Sequence, residues 1–155
     1  MSQPRPYVET TIPSYLVARP SRDEIMRGQQ AATHRRNACE LFVSQFVDIE
    51  AERGDAEMAR ARIAAIGGLP RLPVTGSVRE LASEILGSGL IPMKAAVDAS
   101  HIAVAAVHGM DMLLTWNCTH IHNIEISRLI ERICTQAGWP CPAICTPFDR
   151  LKLEP

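Results

Sequence analysis

Apolar residues fall in short clusters along this chain. Most clusters are followed by a longer stretch in which they return every three or four positions. The first kind of segment reads as a brief strand and the second as an amphipathic helix. Tyr7 and Val8 mark a strand over residues 5–9, and Pro13 suits the first turn of the helix behind it. Ser21 and Glu24 have the S-x-x-E spacing of a capping box, which predicts a helix over 22–37. A brief strand at 40–43 leads to Ser44, a cap for a helix ending near Gly54. Asp55 caps the next, which runs to Ile66 and stops at Gly67 and Gly68. Residues 71–74 read as a third strand. Ser77 and Glu80 form a second capping box, opening a helix that ends at Gly87 or Gly89. Pro92 opens a long Ala/Val-rich helix to His108, closed by Gly109. A strand at 112–115, a helix at 124–137 closed by Gly138 and a strand at 143–145 complete the series. The first few residues and the tail after Arg150 are expected to be loosely held.

Strands alternating with helices imply βα units, hence an α/β fold with a mainly parallel sheet of five strands covered on both faces. In such sheets the ligand crevice lies beyond the carboxyl ends of the strands. With 155 residues the chain has the length of one domain, 1–155. Its hydrophobic fraction of 46% is too high for a disordered chain. No apolar run reaches the ~18 residues of a membrane span, and the opening MSQPRPYVE has no apolar core of a secretory signal, so a cytoplasmic protein is expected. A net charge of −1 removes the simplest argument for a sequence-independent nucleic-acid binder. The five cysteines follow no disulfide-framework spacing and read as reduced thiols.

Charge stands out where the surroundings are apolar. Glu9 is the one charged residue between Arg5 and Arg19, at the end of the first strand. Asp98 is the one formally charged residue between Lys94 and Asp111, inside the most apolar helix. A carboxylate there is costly to desolvate unless a cation or several donors meet it, or unless its face of the helix is exposed. Glu50 lies three positions from Val47 and shares its helix face, whereas Asp48 is expected to face water. Asn117 follows the fourth strand. Glu9, Glu50, Asp98 and Asn117 can therefore converge at one end of a parallel sheet, and such hard oxygen donors suit Mg²⁺ or Mn²⁺.

The segments YVETTIPSYL (7–16), VxxE (47–50), VDASHIA (97–103) and LLTWNC (113–118) resemble the PIN-domain family, most closely its VapC-type toxin branch. The resemblance extends over nearly the whole chain. It implies a three-layer α/β/α sandwich and divalent-metal-dependent cleavage of RNA. Carried over by position, Glu9 stands where the family usually has Asp, Glu50 is its second acidic residue and Asp98 its third. Asn117 stands where many members have Asp, leaving three carboxylates instead of four. The resemblance implies Glu9, Asp98 and Glu50 as ligands of Mg²⁺ or Mn²⁺, with Asn117 completing the catalytic set. Thr10, Thr115 and His101 stand behind them as hydrogen-bonding support. The partners it implies are RNA and an antitoxin-like inhibitor protein; a second copy of the chain is expected because two-fold pairs dominate soluble oligomers.

Other signals are weaker. Trp116 either stacks on a base or covers the sheet end. Arg35 and Arg36, with His34, either touch a phosphate backbone or form a solvated helix end. His101 either faces the cleft or is a satisfied core histidine. Cys118, His120 and His122 lack strong zinc spacing, as do Cys141 and Cys145. Two other functions stay open: a PIN-like module that binds RNA or protein without cleaving, and a metal-dependent DNA nuclease or phosphatase using the same carboxylates.

Overall fold

A computed structural model describes residues 4–34 and 40–152. Strand β1 (Pro6–Val8) leads into α1 (Thr11–Val17) and α2 (Glu24–His34). Next come β2 (Val43–Ser44), α3 (Gln45–Ala51), α4 (Ala56–Ile66), β3 (Arg71–Leu72) and α5 (Gly76–Gly87). A 3₁₀ turn at Met93–Ala95 opens α6 (Ala96–Val107), followed by β4 (Met112–Leu114), α7 (Ile124–Gln136), β5 (Ala143–Cys145) and α8 (Pro147–Lys152). The fold is mixed α/β, and every strand pair is parallel. No helix among the described residues is long and apolar enough to cross a membrane.

The five strands do not form one continuous sheet, which corrects the sequence reading. One sheet has the order β1-β4-β5, with Tyr7 opposite Leu113 and Leu113 opposite Ile144. A second pairs β2 with β3. A single parallel bridge between Tyr7 and Phe42 joins them, carried by Val8 N to Phe42 O at 2.9 Å and Phe42 N to Pro6 O at 2.9 Å. Beyond that rung the chain pairs with β3, Val43 opposite Arg71 and Ser44 opposite Leu72, and Ser44 then caps α3, its hydroxyl accepting from Phe46 N at 3.3 Å.

Caps explain most element boundaries. Asp55 and Asn123 accept from Met58 N and Glu125 N, both at 3.0 Å. Both capping boxes expected from sequence fail. Asp23, instead of Ser21, accepts from Met26 N at 3.0 Å, so α2 begins at Glu24. Thr75, instead of Ser77, accepts from Val78 N at 3.3 Å. In each case the oxygen-bearing side chain immediately before the helix is the cap, Asp23 before Glu24 and Thr75 before Gly76, and Ser77 is already inside its helix. Gly109 and Gly138 adopt positive φ just past α6 and α7, as their closing role requires. Helix α8 covers residues 147–152, so it takes in the first two positions of the tail expected to be loose, and the rest of that tail lies outside the described residues. Arg35, Arg36 and Cys39 lie outside the described residues, as does the end of the helix expected to reach residue 37.

Helix α6 is the centre of the core. Ala99, Ile102, Ala103, Val104, Ala105 and Ala106 are all fully buried, as expected of a helix that is apolar nearly all round. It packs against α5 and β4, beside the buried Tyr7, Val43 and Leu113. This burial matters because α6 also carries Asp98 and His101.

Candidate active site

Glu9 follows β1 by one residue, and Thr115 to Asn117 follow β4, so both lie at the carboxyl end of the parallel sheet. Glu50 comes from α3, which Ser44 launches from the end of β2. Asp98 is in the first turn of α6. A closed circuit of contacts joins these four stretches.

Thr10 donates to Glu50 Oε1 at 2.6 Å, and His101 Nε2 lies 2.6 Å from the same oxygen. His101 and Asp98 are three apart on α6 and share a face. Asp98 Oδ2 lies 3.0 Å from His120 Nδ1. His120 N donates to Asn117 Oδ1 at 3.1 Å, Asn117 N donates to Thr115 Oγ1 at 2.8 Å, and Thr115 Oγ1 donates to Glu9 Oε1 at 2.8 Å. Glu9 precedes Thr10, and the circuit closes.

Glu9 is 3% exposed. Burial pushes its carboxyl above the ordinary range, while nearby His101 and the hydroxyls of Thr11 and Thr115 pull the other way. Its Oε1 also accepts from the backbone N and the hydroxyl of Thr11. Glu50 is partly buried, which alone would raise its carboxyl. The hydrogen bonds from His101 and Thr10 outweigh that and hold it below the ordinary range. Val47 beside it is fully buried, as the shared face requires. Asp48 faces away from the circuit and pairs with Arg71 at 2.9 Å, both groups about one-third exposed.

Asp98 is buried, and His120 supplies the partner that a carboxylate on an apolar helix needs. His120 escaped the sequence reading because it was weighed only with Cys118 and His122 as a zinc signal. His122 instead lies 3.3 Å from Asp149. A demand for a donor at Asp98 is the signal that could have found His120. Asn117 shapes the loop that carries His120: its Oδ1 also accepts from Thr119 N at 3.2 Å, and its carbonyl from His122 N at 2.7 Å.

His101 is fully buried with both ring nitrogens engaged, Nδ1 lying 2.7 Å from the Tyr7 hydroxyl. Tyr7 and Ser44 are also polar groups behind the site that the sequence reading did not single out. Trp116 is 8% exposed and stacks on Tyr15 at 5.5 Å, with Phe148 edge-on at 5.2 Å. Its Nε1 donates to Thr33 at 2.7 Å. Of the two roles open to it, the ring takes the covering one, because neighbouring aromatics already pack against it.

As oxygen donors, Glu9, Glu50 and Asp98 fit Mg²⁺ or Mn²⁺ in chemical type. In arrangement they do not: among the described residues no three His, Cys, Asp or Glu side chains gather so as to hold a metal ion. Glu50 is engaged by His101 and Thr10, and Asp98 by His120.

No protein-family model matches this chain, and no curated protein matches it. Among solved structures, it is similar to a chain of the crystal structure of VapBC2 from Rickettsia felis bound to a DNA fragment from their promoter. The two are 15% identical, with 92% of this chain and 98% of that chain covered and a TM-score of 0.51. At this identity the likeness is one of fold alone, and it agrees with the mixed α/β architecture described above.

Proposed function

We propose that this chain is a ribonuclease of the PIN type, the toxin-like half of a pair whose other half is an antitoxin-like inhibitor protein. One observation carries the reading. Glu9, Asp98 and Asn117 are joined by one run of hydrogen bonds through His120 and Thr115, and Glu50 by a second through Thr10 and His101, the two runs meeting along the chain at Glu9–Thr10 and along α6 at Asp98–His101. The fold shared with a chain of the VapBC2 complex supports it. A three-layer arrangement, action in the cytoplasm and a homodimer belong to the same proposal, the last because two-fold pairs dominate soluble oligomers.

Mg²⁺ or Mn²⁺ enters the proposal through donor type alone. Glu9, Asp98 and Glu50 are the residues that would hold it, and bringing them onto one ion asks for side-chain movement from the arrangement described. Such an ion, when bound, supplies Lewis-acid polarisation of a phosphate oxygen. The chain's own residues do the rest. Thr10 and His101 orient Glu50, Thr11 and Thr115 orient Glu9, and Asn117 sets the loop that brings His120 to Asp98. Beside Phe46, whose ring meets His101 edge-on at 6.2 Å, a depression of about 280 Å³ opens. Arg79 lines it and offers a cation to a phosphate backbone.

A second reading, a PIN-like module that binds RNA or protein without cleaving it, is favoured by the lack of a three-residue metal group among the described residues. Incubating the purified protein with structured RNA, single-stranded DNA and a phosphomonoester, each with Mn²⁺ or with EDTA, separates the readings. Metal-dependent loss of RNA alone is expected. RNA binding without cleavage selects the second reading, and faster hydrolysis of DNA or the monoester selects a different hydrolase.

A further inference from the structure

Tyr7 is fully buried in the middle of β1, yet its hydroxyl is not idle. It lies 2.8 Å from Ser44 Oγ and 2.7 Å from His101 Nδ1, and His101 Nε2 lies 2.6 Å from Glu50 Oε1. These groups form a row from the end of β2, through the sheet, to the candidate site.

Hydrogen-bond direction in this row is constrained at both ends. An ionised carboxylate only accepts, so His101 Nε2 must carry a proton. Ser44 Oγ already accepts from Phe46 N at 3.3 Å. One assignment then gives each proton in the row an acceptor: Ser44 O–H donates to the Tyr7 oxygen, Tyr7 O–H donates to His101 Nδ1, and Nε2–H donates to Glu50. The reverse assignment puts protons on both imidazole nitrogens and leaves the Ser44 hydroxyl proton without an acceptor in the row. Burial pushes the Tyr7 hydroxyl well above its ordinary range, which keeps its proton in place as a donor.

We propose that Tyr7 is a positioning residue for Glu50: its hydroxyl fixes His101 as the Nε2–H tautomer with one ring orientation, and His101 in turn holds the Glu50 carboxylate at the site. The inference rests on the proposed function only in taking Glu50 as a working carboxylate; the tautomer is a property of the row itself. A tyrosine on a central strand is ordinarily a packing residue. Here the phenyl ring packs and the hydroxyl sets the orientation of a group two bonds further on. Phe46, edge-on to the imidazole, limits the other way the ring could turn.

Side-chain ¹⁵N–¹H correlation spectra of histidine-labelled protein test it. In the wild type, His101 is expected to show the Nε2–H tautomer; a Nδ1–H ring or an even mixture overturns the proposal with no variant needed. Tyr7→Phe keeps the ring and removes the donor. It is expected to mix the His101 tautomers and lower kcat for RNA on the order of 10- to 100-fold with KM little changed. Ser44→Ala weakens the α3 cap but keeps the Tyr7–His101 bond, and is expected to leave the tautomer intact. If Tyr7→Phe leaves the tautomer intact, or Ser44→Ala mixes it equally, Tyr7 is structural only. Should the wild type cleave no RNA, the nuclease reading fails, and the spectra still decide the role of Tyr7.

Discussion

His120 Nδ1 lies 3.0 Å from Asp98 Oδ2, joining the loop after β4 to the first turn of the most buried helix. The contact answers the problem that the sequence poses, a lone carboxylate on an apolar helix. Removing the imidazole while keeping the charge leaves Asp98 short of a donor. His120→Ala is therefore expected to lower stability by about 1–3 kcal/mol. Adding Asp98→Asn should recover part of that loss, because the neutral amide is cheaper to bury. Urea unfolding of the two single variants and the double variant measures both effects; a purely additive double variant would contradict the coupling.

Glu9 and Glu50 give opposite pH dependences. The Glu9 carboxyl is raised by folding, so the native chain holds this proton more tightly than the unfolded one. Its ionisation costs stability above the raised value, and the cost disappears as the pH falls toward the ordinary carboxyl range. Glu50 is lowered, so its contribution is complete above the ordinary range and is lost as pH falls through the lowered value.

Glu9→Gln keeps an oxygen for Thr11 and Thr115 and removes the buried charge. The variant should melt higher than wild type at neutral pH, by roughly 2–4 °C for each kcal/mol gained. The advantage should shrink toward pH ~4, where the wild-type carboxyl is protonated as well. Calorimetry across this range checks the sign, and an advantage that grows as the pH falls would be inconsistent with a raised Glu9.

Thr33 is the partner of the buried Trp116 indole, at 2.7 Å. Thr33→Val nearly preserves shape and leaves that N–H without its partner, at an expected cost of about 1–3 kcal/mol. Because Tyr15 and Phe148 pack against the ring, the same change should leave RNA affinity unaltered. A large loss of RNA affinity at unchanged stability would return Trp116 to the binding surface.

Cys118 is exposed, whereas Cys134 and Cys145 are buried. Among the four cysteines described, Cys118 should be the first alkylated in the native protein, with Cys134 and Cys145 reacting only on unfolding. Peptide mapping after brief treatment with iodoacetamide reads the order directly.

The order of strands and helices was legible because punctuation is local. Ser44 and Asp55 cap, Gly109 and Gly138 close, and the apolar period separates short strands from helices. The placement of Glu9 and Asn117 at the carboxyl ends of neighbouring parallel strands was legible, whereas the expected gathering of three carboxylates about one ion is not found among the described residues. What the sequence could not show depends on competition in space. Thr75 caps α5 in place of Ser77, and after the Tyr7–Phe42 bridge the chain pairs with β3 instead of β1, so the sheet divides. The partners of the carboxylates were hidden for the same reason. His120 is 22 positions from Asp98, and Tyr7, which reaches Glu50 only through His101, is 43 positions from it; nothing local marks either as a donor.

Cleavage of structured RNA by wild type and Asp98→Asn, with Mn²⁺ and with EDTA, bears most directly on the central claim that this circuit is a nuclease site. The account expects cleavage by the wild type with Mn²⁺ only, and none by a folded Asp98→Asn variant. Equal cleavage by the two proteins, or cleavage undiminished by EDTA, would contradict it.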